Sequence, residues 1–405
     1  MKLLFHIGTE KTGTTSMQNW LAENRVQLLK HGVFACRSLG ALSNRKISLW
    51  AQDESRPDRG FLSLGITTAT QRRAFRQSLP ATFAAEVAKA RDLGCRIMVI
   101  SNEHCHSRLR SQAEVNRAAD FLAPHFAQIE ILCALRPQID MAISLASTLS
   151  RQRHRVDRRF LRRVVPENPY YDLDSLVSRW ETAFGAHNVT LVPYRHFPDM
   201  AAWLAAHLGV DDRSLHPARR SNGPLDVQTM ALINALDVPI FLQDGQRNPS
   251  AELFLDKLPC AEPLRIGRDL ARNIQARFVA ANQRLVARRP DLPAGCLEPD
   301  WQRHEGAANL HVLDEACAFS PQLGRLIRIF NERLVFERLN TALAQAEYAL
   351  AQGQQGLAHG HLARAGGLAE KLTAGRHFRR EAAAAKARIT ALHRQITPLG
   401  ENRGG

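Results

Sequence analysis

The chain has 405 residues, of which 45% are hydrophobic, so it is long enough to bury a large core and to hold more than one structural unit. No apolar run reaches the roughly 18 residues of a transmembrane helix, and the short apolar start is not that expected of a secretion signal. The net charge of +15 favours polyanionic partners: a nucleotide, an acidic glycan, nucleic acid or an anionic membrane surface. Seven cysteines without C-x-x-C spacing predict thiols in a reducing, cytoplasmic compartment and no zinc site.

The first predicted element is a short apolar strand at residues 3–5, followed by a turn and a helix. The turn and the start of the helix, residues 6–20, read H-I-G-T-E-K-T-G-T-T-S-M-Q-N-W. Such a turn gathers backbone N–H groups at the positive end of a helix, an arrangement that binds phosphate. Gly8 and Gly13 permit the tight turn, and Lys11 adds a positive charge. The sequence therefore predicts an anion site directly after the first strand, although an ordinary strand–helix turn is the alternative.

The spacing of this turn distinguishes two kinds of phosphate loop. A nucleotide triphosphatase loop reads G-x-x-x-x-G-K-[ST], but here Thr14 stands where that lysine belongs, and the lysine comes earlier, at Lys11. The turn resembles instead the 5′-phosphosulfate loop of sulfotransferases, approximately K-[ST/G]-G-T-[TS]. In that family the donor is 3′-phosphoadenosine 5′-phosphosulfate (PAPS), and transfer needs no metal. The resemblance implies a set of donor-binding residues: Lys11, Thr12, Gly13, Thr14, Thr15 and Ser16.

Residues 33–80 contain scattered glycines and prolines, among them Pro80. This composition predicts an irregular segment that passes over the edge of the sheet. A helical apolar face follows at residues 81–93, and Gly94 ends it. The next apolar run, residues 97–100, predicts a strand that is covered on both faces.

That strand leads to Ser101-Asn102-Glu103-His104-Cys105-His106 at its carboxyl end, where ligands bind in open α/β sheets. A carboxylate and two imidazoles there are candidates for a general base, and the alternative is a solvated loop. Several bacterial and glycan sulfotransferases look similar here, with an acidic residue after the corresponding strand, whereas cytosolic ones use a histidine. We therefore rank Glu103 first, His104 second and His106 third.

A further strand at residues 129–135 runs directly into Arg136, and Ser144 follows eight residues later on a predicted helix. In sulfotransferases an arginine and a serine with this spacing hold the 3′-phosphate of the donor. The chemistry suits the role, because a guanidinium offers charge-assisted hydrogen bonds to a dianionic phosphate and the hydroxyl fixes its orientation. The resemblance thus implies a second anion-binding group at Arg136 and Ser144.

Residues 151–163 contain seven arginines. They form either a solvated basic face or a groove that receives an acidic acceptor, and nucleic acid would use the same side chains. A later segment, W-x3-F-G-x2-N-V-x-L-V-x-Y-x-x-F, also resembles sulfotransferases, but Arg195 stands where the family has an acidic residue after the tyrosine, Tyr194. This departure leaves the role of the Tyr194–Phe197 loop open. The run Arg219-Arg220-Ser221-Asn222 precedes another predicted helix, as in family members.

The sulfotransferase resemblance is firm to about residue 235, and no motif is found in residues 245–320. From about Arg333 the composition changes to Ala, Gln, Leu, Arg and Lys, with helices predicted at residues 339–372 and 377–395. The predicted organisation is an α/β domain at 1–332, with a P-loop-like parallel sheet flanked by helices, and a C-terminal α-helical appendage at 333–405. The appendage is expected to pack on the enzyme or on a protein partner.

The resemblance implies a cytoplasmic, bacterial sulfotransferase that moves a sulfuryl group from PAPS to a hydroxyl or amine. The expected acceptor is an acidic molecule or a saccharide such as a glycan. It implies Lys11 at the leaving group, Glu103 or His104 as the base, PAP (3′-phosphoadenosine 5′-phosphate) as product and no metal. One alternative is a P-loop nucleotide kinase with a degenerate loop. Another is a non-catalytic scaffold or nucleic-acid protein, although nucleic acid is disfavoured because only 6% of the residues are aromatic.

Overall fold

The structure is a computed structural model. It describes residues 1–396 except 153, 197–198, 211–214, 219–222, 236–241, 244–245, 248–259, 315–320 and 376. The described chain has an α/β fold, in which helices flank a P-loop-like parallel sheet and further helices follow it toward the C-terminus. The predicted fold class is confirmed.

The main sheet of the described chain contains five parallel strands in the order β2-β3-β1-β4-β5. These strands are β1 (Lys2–Gly8), β2 (Val33–Ala35), β3 (Ile97–Ser101), β4 (Gln128–Leu135) and β5 (Val189–Pro193). A separate antiparallel pair is formed by β6 (Leu242–Gln243) and β7 (Gln246–Arg247). Because β1 lies between β3 and β4, the carboxyl ends of these three strands meet at one edge of the sheet, where ligands bind in α/β folds.

Helices connect the strands and cover both faces of the sheet. The described α-helices that precede residue 315 are α1 (Thr14–Glu23), α2 (Arg25–Lys30), α3 (Lys46–Ala51), α4 (Ala69–Asp92), α5 (His104–Arg108), α6 (Gln112–Leu122), α7 (Gln138–Arg151), α8 (Arg158–Leu161), α9 (Leu173–Phe184), α10 (Met200–His207), α11 (Val227–Ala235), α12 (Arg268–Ala276), α13 (Val279–Arg288) and α14 (His311–Asp314). Successive residues of a strand point to opposite faces. Accordingly Leu4 is buried with Met17 and Trp20 of α1, whereas Phe5 contacts Trp180 of α9 with ring centroids 5.6 Å apart.

The helix predicted at residues 81–93 is longer than expected, since α4 spans Ala69–Asp92 and contains Pro80. Pro80, which was assigned to the segment over the sheet edge, lies inside this helix instead. A proline inside a helix leaves the carbonyl four residues earlier without its N–H donor. Here that carbonyl belongs to Arg76, and the indole N–H of Trp50 donates to it at 2.8 Å. A side chain from α3 thus replaces the hydrogen bond that the proline removes.

The chain divides into two compact units, residues 1–230 with 241–313, and residues 231–240 with 314–405. The second unit contains the three C-terminal helices, α15 (Pro321–Ala351), α16 (Gln355–Ala374) and α17 (Arg379–Ile396). These helices bury a core of their own, which includes Leu339, Leu362 and Ile389. The predicted boundary between residues 332 and 333 stays a prediction. None of the described helices has the length and apolarity needed to cross a membrane.

Candidate active site

The loop after β1, residues 9–13, is fastened to the end of the neighbouring strand β4. The backbone N–H and the hydroxyl of Thr9 both donate to the carbonyl of Ala134, at 2.8 and 2.9 Å. The hydroxyl of Thr12 donates to the carbonyl of Thr9 at 2.6 Å, and both threonines are buried. Thr12, a predicted donor-binding residue, therefore has its hydroxyl engaged inside the loop.

Gly13 begins helix α1 in the left-handed conformation, with φ 78°, and provides no side-chain cap. The first amides of α1 therefore have no acceptor from an N-cap side chain, which is the state in which a helix N-terminus binds an anion. Among the predicted contacts, Thr14 is buried, Ser16 is half-buried and Thr15 is exposed. Phosphate binding by these amides stays a prediction.

Lys11 lies on the α7 side of the loop. Its backbone is left-handed, with φ 71°, and its ammonium donates to the hydroxyl of Thr148 at 2.6 Å. Thr148 and Ser144 are four residues apart on α7 and so share one face of that helix. The ammonium of Lys11 is therefore held on the helix face that also carries Ser144.

Arg136 follows β4 and is 9% exposed. Its Nη1 donates to the carbonyl of Lys11, and its guanidinium carbon lies 4.9 Å from the ring centroid of Tyr194. Its Nε is buried and has no hydrogen-bond partner among the described residues. Burial lowers the pKa of Arg136, because the charged form is poorly solvated there. A buried cation with an unsatisfied donor beside the loop is suited to an anionic ligand.

The residues after β3 bring a carboxylate and an imidazole together. Glu103 accepts a hydrogen bond from the amide of Gln18 on α1, and the hydroxyl of Ser43 donates to it at 3.5 Å. His104 has its Nε2 3.8 Å from Oε1 of Glu103 and its Nδ1 3.6 Å from Oε1 of Glu10. The two highest-ranked base candidates are therefore neighbours, and His104 lies between two carboxylates.

His106, the third candidate, has both ring nitrogens engaged. Its Nδ1 accepts from the backbone N–H of Glu10 at 3.2 Å, so its proton is on Nε2, which donates to the carbonyl of Tyr170 at 2.8 Å. Burial lowers the pKa of His106 to about 4. A neutral ring with no available lone pair fastens the loop and is not available to act as a base.

Glu10 is a residue of the site that the sequence reasoning missed. Its carboxylate accepts hydrogen bonds from the hydroxyls of Ser107 and Tyr170, the latter at 3.2 Å. Burial alone would raise the pKa of Glu10, but the interactions with His104, His106 and Ser107 outweigh it and hold the pKa well below its usual range. Burial, together with the charge of Glu10, raises the pKa of Tyr170, so that hydroxyl stays protonated. The sequence signal that could have identified Glu10 is its position directly before the lysine of a phosphate loop.

Residues after 262, where no motif was found, pack against the start of α7. The amide of Gln138 donates to Asn282 at 2.7 Å, and the amide of Gln275 donates to Gln138 at 2.9 Å. The backbone N–H of Ile139 donates to Gln275 at 3.1 Å. Helices α12 and α13 therefore hold the helix that carries Ser144 and Thr148.

Arg195, the departure from the family pattern, has a structural contact. Its guanidinium donates to the carbonyls of Glu298 and Pro299, both at 3.0 Å. Tyr194 contacts Arg136 and lies beside the loop, since a Cβ on Gly13 would be 3.9 Å from its ring. The basic residue at 195 thus fastens a later segment of the chain beside the ring that supports Arg136.

The arginine run is largely exposed in its described part. Arg158 and Arg162, with Arg277, contribute to a groove of about 470 Å³ whose apolar side chains come from α8, from α12 with the residues just before it, and from the segment before α14. Arg277 also donates to the carbonyl of Val164 at 3.0 Å. Two arginines of the run, Arg158 and Arg162, therefore line an amphipathic groove. Arg153 lies outside the described residues.

Some sequence predictions fall on residues that the structure does not describe, namely Phe197, Arg219–Asn222 and Cys317. The other six cysteines are free thiols. In the described part of the chain, no group of three or more His, Cys, Asp and Glu side chains has an arrangement that would hold a metal ion.

The fold and the strand-end residues define a P-loop-like α/β protein whose first loop carries Glu10 and Lys11. No protein-family model and no curated protein matches the chain. Among solved structures it is similar to the crystal structure of a sulfotransferase from Alicyclobacillus acidocaldarius, with 17% sequence identity and a TM-score of 0.34. That match covers 62% of this chain and 98% of the other. We therefore base the proposed function on the side chains at the strand ends.

Proposed function

We propose that this protein is a sulfotransferase that moves a sulfuryl group from PAPS to a hydroxyl or amine and releases PAP. One observation carries the proposal: the buried guanidinium of Arg136, at the end of β4, donates to the carbonyl of Lys11, in the loop after β1. Two groups suited to anions are therefore neighbours at adjacent strand ends. A nucleotide with phosphates at both its 3′ and 5′ positions requires two such groups.

In this proposal the backbone N–H groups of residues 13–16 bind the 5′-phosphate, with the hydroxyls of Thr14, Thr15 and Ser16 beside them. Arg136 and Ser144 bind the 3′-phosphate, which distinguishes PAPS from ATP. The unsatisfied Nε of Arg136 supports this role, because a buried donor without a partner costs about 1–3 kcal/mol until a ligand accepts from it.

The acceptor oxygen or nitrogen attacks sulfur, and the bond from sulfur to the 5′-phosphate oxygen breaks. The leaving phosphate keeps the electron pair of that bond, and the ammonium of Lys11 neutralises its growing charge. Glu103, or His104 beside it, takes the proton from the acceptor. Sulfuryl transfer resembles phosphoryl transfer, in which positioning and charge stabilisation supply most of the catalysis. Loss of one preorganised donor such as Lys11 would cost ~10²–10³ in rate.

An acidic acceptor, for example a charged saccharide or glycan, is the second part of the proposal. The net charge of +15 and the arginines of the groove, Arg158, Arg162 and Arg277, support it. A polyanion that reaches this groove would be attracted at long range and less so at high salt.

The deciding experiment is thermal unfolding with PAP, ADP or ATP, each with and without Mg²⁺. A ligand at 100 times its Kd stabilises the folded state by about 2.7 kcal/mol, which is readily detected. We expect stabilisation by PAP that is independent of Mg²⁺ and stronger than that by ADP. Stabilisation by ATP with Mg²⁺ and none by PAP would instead support a nucleotide kinase. Steeply salt-dependent binding of nucleic acid without PAP binding would support the non-catalytic alternative.

A further inference from the structure

We propose that Glu10 is a positioning residue of the proton-transfer site: its carboxylate orients His104, so that Nε2 of that ring receives the proton that Glu103 takes from the acceptor. This inference rests on the proposed sulfuryl transfer. It assigns a function to a charge that the donor-binding loop does not need.

The carboxylate of Glu10 is held from several sides. The hydroxyls of Ser107 and Tyr170 both donate to it, and Ser107 in turn accepts from Nη1 of Arg108 at 2.8 Å. Because the Arg108 guanidinium supplies a hydrogen to Ser107, the hydroxyl hydrogen of Ser107 is directed to Glu10. The position of the carboxylate is therefore fixed by residues from two other segments of the chain.

Fastening the loop does not require this carboxylate. Thr9 and Thr12 already attach the loop to β4, and the backbone N–H of Glu10 donates to His106. A negative charge in a loop that binds an anionic donor also opposes that binding, because like charges repel at short range. An ionised glutamate at this position needs a compensating function.

Orienting the ring of His104 is that function. Its Nδ1 is buried, lacks a hydrogen bond among the described residues, and lies 3.6 Å from Oε1 of Glu10. Its Nε2 lies 3.8 Å from Oε1 of Glu103. Both distances exceed a hydrogen bond by less than 1 Å, and catalytic hydrogen bonds are often long before substrate binds. The ring therefore has one carboxylate to orient it and one with which to exchange a proton.

The proton balance is simple. As the new bond to sulfur forms, the acceptor proton moves to the carboxylate of Glu103 and from there to Nε2 of His104. The resulting imidazolium is stabilised by the carboxylate of Glu10 next to Nδ1, and Glu103 is again ionised. After PAP leaves, the proton returns to water, and no oxidant or further reactant is needed.

Other charged groups near His104 do not replace Glu10. His106 is neutral because its Nδ1 accepts a backbone hydrogen bond, and Tyr170 stays protonated. Arg108 makes an ion pair with Asp58. The carboxylates of Glu10 and Glu103 are therefore the charges that face the two ring nitrogens of His104.

The test is the tautomer of the neutral His104 ring, read from its ring-nitrogen signals by NMR in the full-length protein, with His104→Asn to identify the signals. If Glu10 orients the ring, the proton is on Nδ1, which faces Glu10, and the lone pair is on Nε2. In Glu10→Gln the fraction of this tautomer should fall, and Glu10→Asp should restore part of it. An unchanged tautomer fraction in a folded Glu10→Gln protein would overturn the proposal.

Two controls separate charge from structure. Tyr170→Phe removes one hydrogen bond to Glu10 but leaves the carboxylate, so the tautomer fraction of His104 should stay near its original value. A fall as large as in Glu10→Gln would overturn the proposal. Glu130→Gln removes the carboxylate that pairs with His207 at 2.8 Å, at the other end of β4, and should lower stability without moving the His104 signal.

PAP binding is measured on the same samples. If PAP does not bind and the tautomer fraction of His104 still changes in Glu10→Gln, the proposed function fails while the coupling of Glu10 to His104 stands. If PAP binds normally and the tautomer fraction does not change, the coupling fails alone.

Discussion

Replacing Arg136 with methionine tests the second anion site directly, because Arg136→Met keeps an apolar stem and removes the guanidinium. A hydrogen bond to a charged group contributes about 1.5–3 kcal/mol, so the loss of a two-bond contact with the 3′-phosphate costs about 3 kcal/mol. This corresponds to roughly 150-fold weaker binding of PAP. AMP lacks the 3′-phosphate, so its binding should change little.

The structure also predicts how Arg136→Met affects the protein without ligand. Arg136 is 9% exposed and its guanidinium donates to a backbone carbonyl, so burial of its charge is unfavourable. Its loss removes one hydrogen bond to Lys11 and one contact with Tyr194, together about 1–2 kcal/mol. Since the two effects oppose each other, the free energy of unfolding should change by no more than about 1 kcal/mol.

Calorimetric titration with PAP and with AMP gives the ratio of the two affinities. In Arg136→Met this ratio should fall toward one. Arg195→Met is the matched control, because it removes an arginine beside the neighbouring strand β5 whose contacts are the carbonyls of Glu298 and Pro299. It should lower the melting temperature and leave the ratio intact. Equal weakening of PAP and AMP in Arg136→Met would refute the assignment of Arg136 to the 3′-phosphate.

Three further predictions concern stability and charge. Burial lowers the pKa of His106 from 6.5 to about 4, so between these two pH values the unfolded chain binds a proton at His106 and the folded protein does not. The free energy of unfolding should therefore fall as pH drops from about 6.5 to 4, by up to ~1.4 kcal/mol per unit, and fall less in His106→Gln, as urea midpoints across this range will show. Gly8→Ala should lower the melting temperature more than Gly65→Ala, because both have positive φ but a Cβ on Gly8 would lie 3.2 Å from two backbone atoms and one on Gly65 would meet none within 4 Å. Arg162→Glu should weaken retention on heparin more than the same change at the exposed Arg59, and equal effects would argue against the groove as a polyanion site.

The sheet and its edge were predictable because their signals are local. Continuous apolar runs identify β1, β3 and β4, and the residues after each strand lie at its carboxyl end in any parallel sheet. The apolar runs do not show which strands are neighbours, but a βαβ fold allows only a few strand orders. Lys11, Glu103 and Arg136 could therefore be expected at one edge before any coordinates were known.

The contacts that define the site in detail have no local signal. Glu10 is bound by Ser107 and Tyr170, which are 97 and 160 residues away in the chain. Arg195 donates to backbone carbonyls, which every residue possesses and no motif marks. Whether a carboxylate or guanidinium is exposed or held in place depends on which distant segment packs beside it, and this is a property of the tertiary structure.

Two properties of Lys11 can be tested independently: the charge of its side chain and the left-handed conformation of its backbone. Lys11 has φ 71°, a region that costs a residue with a Cβ about 1 kcal/mol relative to glycine, so Lys11→Gly should be more stable than Lys11→Ala by about that amount. Both variants lose the ammonium that donates to Thr148, and both should release PAP from PAPS ~10²–10³-fold more slowly than the original protein. If Lys11→Ala were the more stable of the two, residue 11 would not have the left-handed backbone conformation described above. If both retained full turnover, Lys11 would have no function at the leaving group, whatever the stability of the loop.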